Sequence, residues 1–459
     1  MSASRSAEPE ELRRGLNLWD TTFLVLGLVL GGGIFLTPAS IAQAIPSPKW
    51  MLAAWIVGGL LSVAGGLVYA ELGAMMPKAG GMYLYIREAF GALPAFLYAW
   101  MAYFVILAGA DAAVAVGFSE YLSVFFPGLG TKRILFDVAG LPISAGQLTA
   151  VAAVLVLSAT HYVGVREGSR IQSVFTLLIV VALLWLIVGG AVARPAAAAP
   201  TSTQAPLTAA GFGIAMVAVF WCYYGWNEIA AVAGEVARPH RNLPAALIFG
   251  TGLVTLLYVG VNAVFLKAIP VVELAQTARP AELASQRLFG PGATVAIALA
   301  VTAAAFGCLS AGIVPGPRIV YALSRDNLFP RPFSRVHPRF QTPSFAIVVQ
   351  AVWMSLLCLS GRYDQLYTYA TFAVILAYTA TGVSLFVFRR TRPGEERPYR
   401  CWGYPVVPAI FVGTSALLAV NTVRQQPRET LAGLGMLLLG MPVYFWMRSA
   451  GRRRSEGSR

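Results

Sequence analysis

The chain is a succession of apolar stretches, each long enough to cross a lipid bilayer and nearly free of charge. They fall at 17–44, 50–76, 92–126, 144–164, 168–191, 208–236, 243–267, 292–323, 343–361, 364–388, 404–423 and 429–447, separated by charges, prolines and glycines. About 20 apolar residues cross the hydrocarbon core as a helix. Only helices and closed barrels satisfy their own backbone there. Charged residues make up 12% of the 459, about half the roughly 25% of a soluble domain. A secreted domain, a disordered chain and an ordinary cytosolic enzyme are excluded. The expectation is an all-α polytopic membrane protein with 12 transmembrane helices.

The formal net charge of +14 would suggest nucleic acid in a soluble chain. Its distribution says otherwise. With an even number of crossings both termini share a side, and that side carries 24 of the 34 Lys and Arg residues. Basic loops stay cytoplasmic, so both termini are expected in the cytoplasm and no nucleic-acid partner is expected. The partner is the lipid bilayer. The polar N-terminus precedes an apolar run too long for a cleavable signal. Cys222, Cys308, Cys358 and Cys401 are too scattered for a disulfide or zinc framework. No metal and no cofactor is expected.

Two stretches carry poor helix formers near mid-membrane. The first holds Gly27 and then Gly31-Gly32-Gly33-Ile34-Phe35, ending at Thr37-Pro38. The sixth holds Trp221-Cys222-Tyr223-Tyr224-Gly225-Trp226-Asn227-Glu228. An offset of five makes the two helices antiparallel. Paired interruptions of this kind point to an inverted-repeat transporter with its site at the midplane.

An unwound helix in a bilayer exposes N–H and C=O groups that each cost several kcal/mol if unpaired. A zwitterion satisfies both, its carboxylate taking N–H groups and its ammonium taking carbonyls. The half-helix beyond the break adds its positive end to carboxylate binding. The bland alternative is that the three glycines only let helices pack closely. The matching sixth-stretch break favours the binding role.

Several segments resemble one known group. Residues 27–38, GLVLGGGIFLTP, look like the first-helix signature of the amino acid–polyamine–organocation superfamily, especially its L-type amino acid transporter branch. Residues 65–91 resemble that group's second helix and loop, and residues 220–244 its sixth helix and the element Glu235, Pro239, Arg241, Asn242, Leu243, Pro244. The similarity runs over about residues 16–447 in one register. It implies a leucine-transporter-like five-plus-five inverted repeat followed by two further helices, with alternating access. The corresponding segments are a tail at 1–15, repeats at 16–191 and 208–389, helices at 404–447 and a basic tail at 448–459.

The resemblance also implies a site. Gly31, Gly32 and Gly33 would offer N–H groups to a substrate carboxylate. Carbonyls at Ile34 and near Trp221 and Tyr224, beside Gly225, would hold the ammonium, with Trp221 as an aromatic gate. Departures are informative. Many relatives place a lysine about three residues after the threonine matched by Thr176, where a sodium ion sits in other members; here Ile179 stands there. Ser310 matches a hydroxyl ligand of some sodium-coupled members and is the candidate coupling-ion residue. Tyr224 replaces a frequent glycine and should narrow the pocket. Residues 127–144 contain no cysteine, so no disulfide-linked heavy subunit is expected. A stand-alone carrier of the bacterial inner (plasma) membrane is expected.

Among the acids, Glu235 is expected to pair with Arg241, and Glu228 to face either the pathway or a neighbouring hydroxyl. His161 is expected at the membrane interface. Asp111 lies mid-way along the third stretch, and an ionised Asp at that depth costs roughly 2.5–3.5 kcal/mol on insertion scales. It needs a proton, a cation, a polar partner or the cationic end of a substrate. Its register matches a pocket-lining position of the bacterial arginine/agmatine antiporter, which implies a role towards cationic amino acids or amines. A membrane enzyme is disfavoured because no catalytic motif appears in the spans. A non-transporting receptor is disfavoured because tails of about 15 residues leave little room for signalling. The expected function is secondary transport of small amino acids or amines, by uptake or exchange.

Overall fold

The computed structural model describes residues 12–138, 141–193, 208–277, 279–360, 363–425 and 427–456. Arg5, Arg194, Arg362 and Arg459, which entered the charge count, lie outside them, as does 1–11 of the expected tail.

The described chain is almost entirely helical. The first apolar stretch forms two short helices, α1 (Leu18–Val29) and α2 (Gly33–Ala44). Then come α3 (Pro48–Met75), a short α4 (Met82–Phe90) and α5 (Ala92–Met101), which continues through a π-helical turn at Ala102–Leu107 into α6 (Ala108–Leu122). Next are α7 (Ala145–Val163), α8 (Val165–Val192) and α9 (Ala209–Cys222), the last followed by a 3-10 helix over Trp226–Glu235. The remainder comprises α10 (Pro239–Ala268), the short α11 (Val271–Leu274) and α12 (Pro280–Phe289), α13 (Gly292–Gly312), α14 (Pro315–Arg325), α15 (Ser344–Ser360), α16 (Tyr363–Thr391), α17 (Val406–Gln425) and α18 (Pro427–Glu456). Among the described residues, ten helical segments are long and apolar enough to cross a membrane, and α1 and α15 are shorter apolar helices. The protein is therefore a multi-pass membrane protein.

Local chemistry sets the ends. Asn17 caps α1 by accepting the Trp19 and Asp20 N–H groups, while the Asp20 carboxylate accepts the Asn17 N–H at 3.0 Å. Ser144 and Gln147 cap α7 the same way. The residues before it pair as two antiparallel strands, β1 (Ile134–Val138) and β2 (Leu141–Ser144). These strands were not legible beforehand, because apolar periodicity over five residues cannot compete with the surrounding loop signals.

Close packing depends on a glycine line. Gly59, Gly66 and Gly73 recur every seven residues on α3 and meet Thr255, Thr251 and Leu243 of the antiparallel α10. A Cβ at Gly73 would stand 2.4 Å from Leu243 Cδ2, and one at Gly59 2.2 Å from Thr255 Cγ2. In lipid, where apolar burial gives helices little reason to associate, such backbone approach and van der Waals contact drive it.

Candidate functional site

The first break leaves α1 at Leu30, whose N–H bonds to Leu26 O at 2.7 Å, while the Gly31 N–H turns back to Val29 O at 2.8 Å. The Tyr258 hydroxyl of α10 also donates to Val29 O, at 2.8 Å, so a second helix holds the broken end. The α2 helix then starts at Gly33 with no side chain capping it. The Phe35 N–H bonds to Gly32 O at 3.1 Å. The N–H groups of Gly33 and Ile34, as first residues of a helix, have no intrahelical acceptor. A Cβ placed on Gly32 meets nothing within 4 Å, whereas one on Gly31 would lie 3.0 Å from Cys308 Sγ and one on Gly33 3.4 Å from Cys222 Sγ. Open space therefore adjoins the middle glycine.

The second break ends α9 at Cys222. The Tyr224 N–H bonds to Trp221 O at 3.1 Å, and Gly225 reverses the chain with φ of 118° before the 3-10 helix begins. A Cβ on Gly225 would strike Leu28 O at 2.3 Å. That contact is the decisive geometric fact: backbone touches backbone, break against break. Only glycine combines this φ with this approach.

Around the breaks lies an aromatic and polar lining. Trp221 stacks on Tyr224 with centroids 5.6 Å apart and planes 9° from parallel. The Tyr224 hydroxyl donates to Glu228 Oε1 at 2.9 Å, Asn227 Nδ2 donates to the same oxygen at 2.6 Å, and the Tyr378 hydroxyl donates to Asn227 Oδ1. Glu228 is buried and faces the neighbouring hydroxyl, the second of the two expected options. Tyr258, Tyr378 and Cys308 carried no recognisable sequence signal, because each is one polar or small residue in an apolar helix, whereas Cys222 and Asn227 fall inside the sixth-stretch break.

Asp111 is 5% exposed, with Oδ2 lacking a hydrogen-bond partner. Its Oδ1 packs on Gly312 of α13, where a Cβ would lie 1.9 Å away. Cys308, the residue beside Gly31, precedes Gly312 by four positions. Residues so spaced share a helix face, about 6 Å apart along the axis. Asp111 therefore sits one helical turn from the first break.

Ser310 points elsewhere. Its hydroxyl lies 3.0 Å from His161 Nε2, and His161, in the last turn of α7, is fully buried in the protein. Ile179 is buried on α8, a turn beyond Thr176, whose hydroxyl accepts from Gln172 Nε2 at 2.6 Å. The same Gln172 nitrogen donates to Phe23 O at 2.7 Å. Ser310 thus faces His161, while Thr176, a turn before Ile179, lies against Gly27 of α1. The expected Glu235–Arg241 pair is also corrected. Glu235 binds Arg318 of α14 through both carboxylate oxygens at 2.9 Å, with both side chains buried. Arg238, in a left-handed conformation at the start of α10, turns the chain so that Arg241 is exposed.

With this geometry in view, the comparisons are direct. A family model described as "Amino acid permease" matches residues 16–443. The chain belongs to the amino acid permease family. It is 28% identical over 447 residues to the serine/threonine exchanger SteT of Bacillus subtilis, covering 96% of this chain and 98% of that protein. It is 30% identical over 454 residues to the human b(0,+)-type amino acid transporter 1, covering 96% and 90%. The human cystine/glutamate transporter is 29% identical over 442 residues, covering 95% and 86%. The permease is a transporter and not an enzyme, as its sequence had suggested.

Proposed function

We propose that this permease carries amino acids across the plasma membrane by alternating access, binding them between its two helix breaks. The single observation that carries the reading is the seating of Gly225 on Leu28 O beside the open space at Gly32. In this reading the amides of Gly32 and Gly33 receive the α-carboxylate, and that of Gly31 joins them once its bond to Val29 O is released. The carbonyls of Ile34, Trp221 and Tyr224 receive the ammonium, and Trp221 closes over the substrate. The anchored Tyr224 ring takes up side-chain space, which favours small substrates.

The same reading has twelve crossings, with α1 and α2 together acting as one broken span and the shorter, continuous α15 as a span of its own, arranged as inverted repeats at 16–191 and 208–389 with helices at 404–447 following. Both termini are cytoplasmic. The matched relative named as an exchanger, SteT of Bacillus subtilis, supports exchange rather than net uptake. No disulfide-linked heavy subunit is proposed. The four cysteines are free among the described residues.

A second reading for the distal end of the substrate rests on Asp111. A buried carboxylate with an unpartnered oxygen, one helical turn from the glycine break, suits a cationic or hydrogen-bond-donating side chain. The deciding experiment is competition in proteoliposomes with twenty amino acids, agmatine and putrescine at varied pH and Na⁺. Saturable, competable amino acid transport is expected. Absence of transport for every one of these ligands would overturn the proposal.

A further inference from the structure

A cavity of about 330 Å³ opens at the end of the molecule where the N-terminal segment, the turn after α3, α4 and the end of α14 meet. Its walls include Arg14, Lys78, Arg87, Arg325, Glu88 and Asp326. The two carboxylates are already engaged. Asp326 accepts the Tyr83 hydroxyl at 2.6 Å and pairs with Arg87 at 3.0 Å, while Glu88 pairs with Arg392 at 2.7 Å. Arg14, Lys78 and Arg325 remain, and none makes an ion pair with a described residue.

These three cations come from separate elements, and the backbone fixes two of them. The N-terminal segment is tied by the Gly15 and Leu16 N–H groups to Glu235 O, at 2.9 and 3.0 Å, and by the Ala237 N–H to Leu16 O at 2.8 Å. The turn bearing Lys78 is seated by the Gly80 N–H on Ala231 O at 3.1 Å. A Cβ on the adjoining Gly81, at φ of 51°, would run into the backbone at Ala231 N, 2.6 Å away. Like charges held on one cavity repel unless an anion lies between them. Two guanidinium forks and an ammonium suit an oxyanion with several acceptor oxygens better than a single carboxylate. The cavity also borders α4, whose last residue, Phe90, is 40% exposed three positions after Arg87. Basic recesses at the cytoplasmic face are where anionic headgroups bind.

We propose that this cavity is a binding site for a phosphoryl group, presented by an anionic lipid headgroup or by a soluble phosphomonoester. Bound there, the group links the N-terminal segment to the inner end of α14.

The test is native mass spectrometry of the full-length protein in neutral detergent, titrated separately with phosphatidylglycerol, phosphatidylcholine of the same chains, and glycerol 3-phosphate. Saturable retention of about one phosphatidylglycerol, but not phosphatidylcholine, identifies a lipid source; retention of glycerol 3-phosphate identifies a soluble one. The Arg14→Gln/Lys78→Gln/Arg325→Gln variant should weaken that binding by roughly 100-fold, taking about fivefold per basic residue at an anionic surface. A charge-matched control, Arg331→Gln/Arg335→Gln/Arg339→Gln, removes exposed cations outside the cavity and should bind as the parent does. Unchanged thermal melting of both variants guards against misfolding, and Arg325→Lys alone tests the site should the triple variant not fold. Equal losses in both triple variants, no loss from Arg325→Lys or the cavity triple, or no retained phosphoryl ligand on the parent protein would overturn the proposal.

Discussion

At the scale of single residues, Gly32 gives the sharpest test of the substrate site. Its backbone is ordinary right-handed, with φ of −64° and ψ of −16°, and an added Cβ meets no protein atom within 4 Å. Gly32→Ala should therefore fold normally, and replacement of Gly by Ala at a compatible position stabilises by about 0.4–1 kcal/mol. Transport should nevertheless fall at least about tenfold, since a methyl group would stand where a carboxylate approaches and a lost 1.4 kcal/mol is a factor of ten. Normal melting with unchanged uptake would remove Gly32 from the site. Asp111→Asn separates the two distal readings. It keeps the size and removes the charge, so lost binding of agmatine or arginine with neutral amino acids spared assigns Asp111 to the pocket. Equal loss for both substrate classes rules that out. The glycine run and Asp111 were legible in the sequence because they break the composition of their spans. Tyr258 and Cys308 were not, since a tyrosine or a cysteine in an apolar helix looks like packing until its contact with the break is seen.

At the scale of elements, both helix breaks and their pairing around one site were legible, while the contact itself, Gly225 against Leu28 O, was not. Contact between distant elements depends on register, which a single chain does not reveal. Glu235 makes the same point: the nearby Arg241 looked like its partner, yet Arg318, eighty-three positions away, occupies both carboxylate oxygens. Arg318 also donates to Val314 O at 3.1 Å, so the pair ties α14 to the end of the 3-10 helix. Removing one member of a buried ion pair costs about 3–5 kcal/mol, while replacing both with apolar groups is often neutral. Glu235→Gln should lower the melting temperature markedly, and Glu235→Leu/Arg318→Met should recover most of the loss. A double variant no more stable than Glu235→Gln would show that the pair is not acting as a unit.

At the scale of the whole molecule, the question is what drives transport. Twelve apolar stretches and their charge asymmetry were enough to read a polytopic membrane protein, because bilayer thickness dictates element length. Coupling was not readable, since it depends on which side chains meet. Ser310, the expected ion ligand, is engaged by His161, and the position of the missing lysine is filled by buried Ile179. Neither residue presents a charge at the glycine breaks. With no fixed cation there among the described residues, the substrate itself is the best candidate to reset the carrier, each molecule returning the binding site that the previous one emptied. Vesicles preloaded with substrate should then take up labelled amino acid several times faster than empty ones, and replacing Na⁺ with choline should leave the rate unchanged. A rate that collapses without Na⁺ would return Ser310 to the coupling site, and uptake indifferent to internal substrate would rule out exchange.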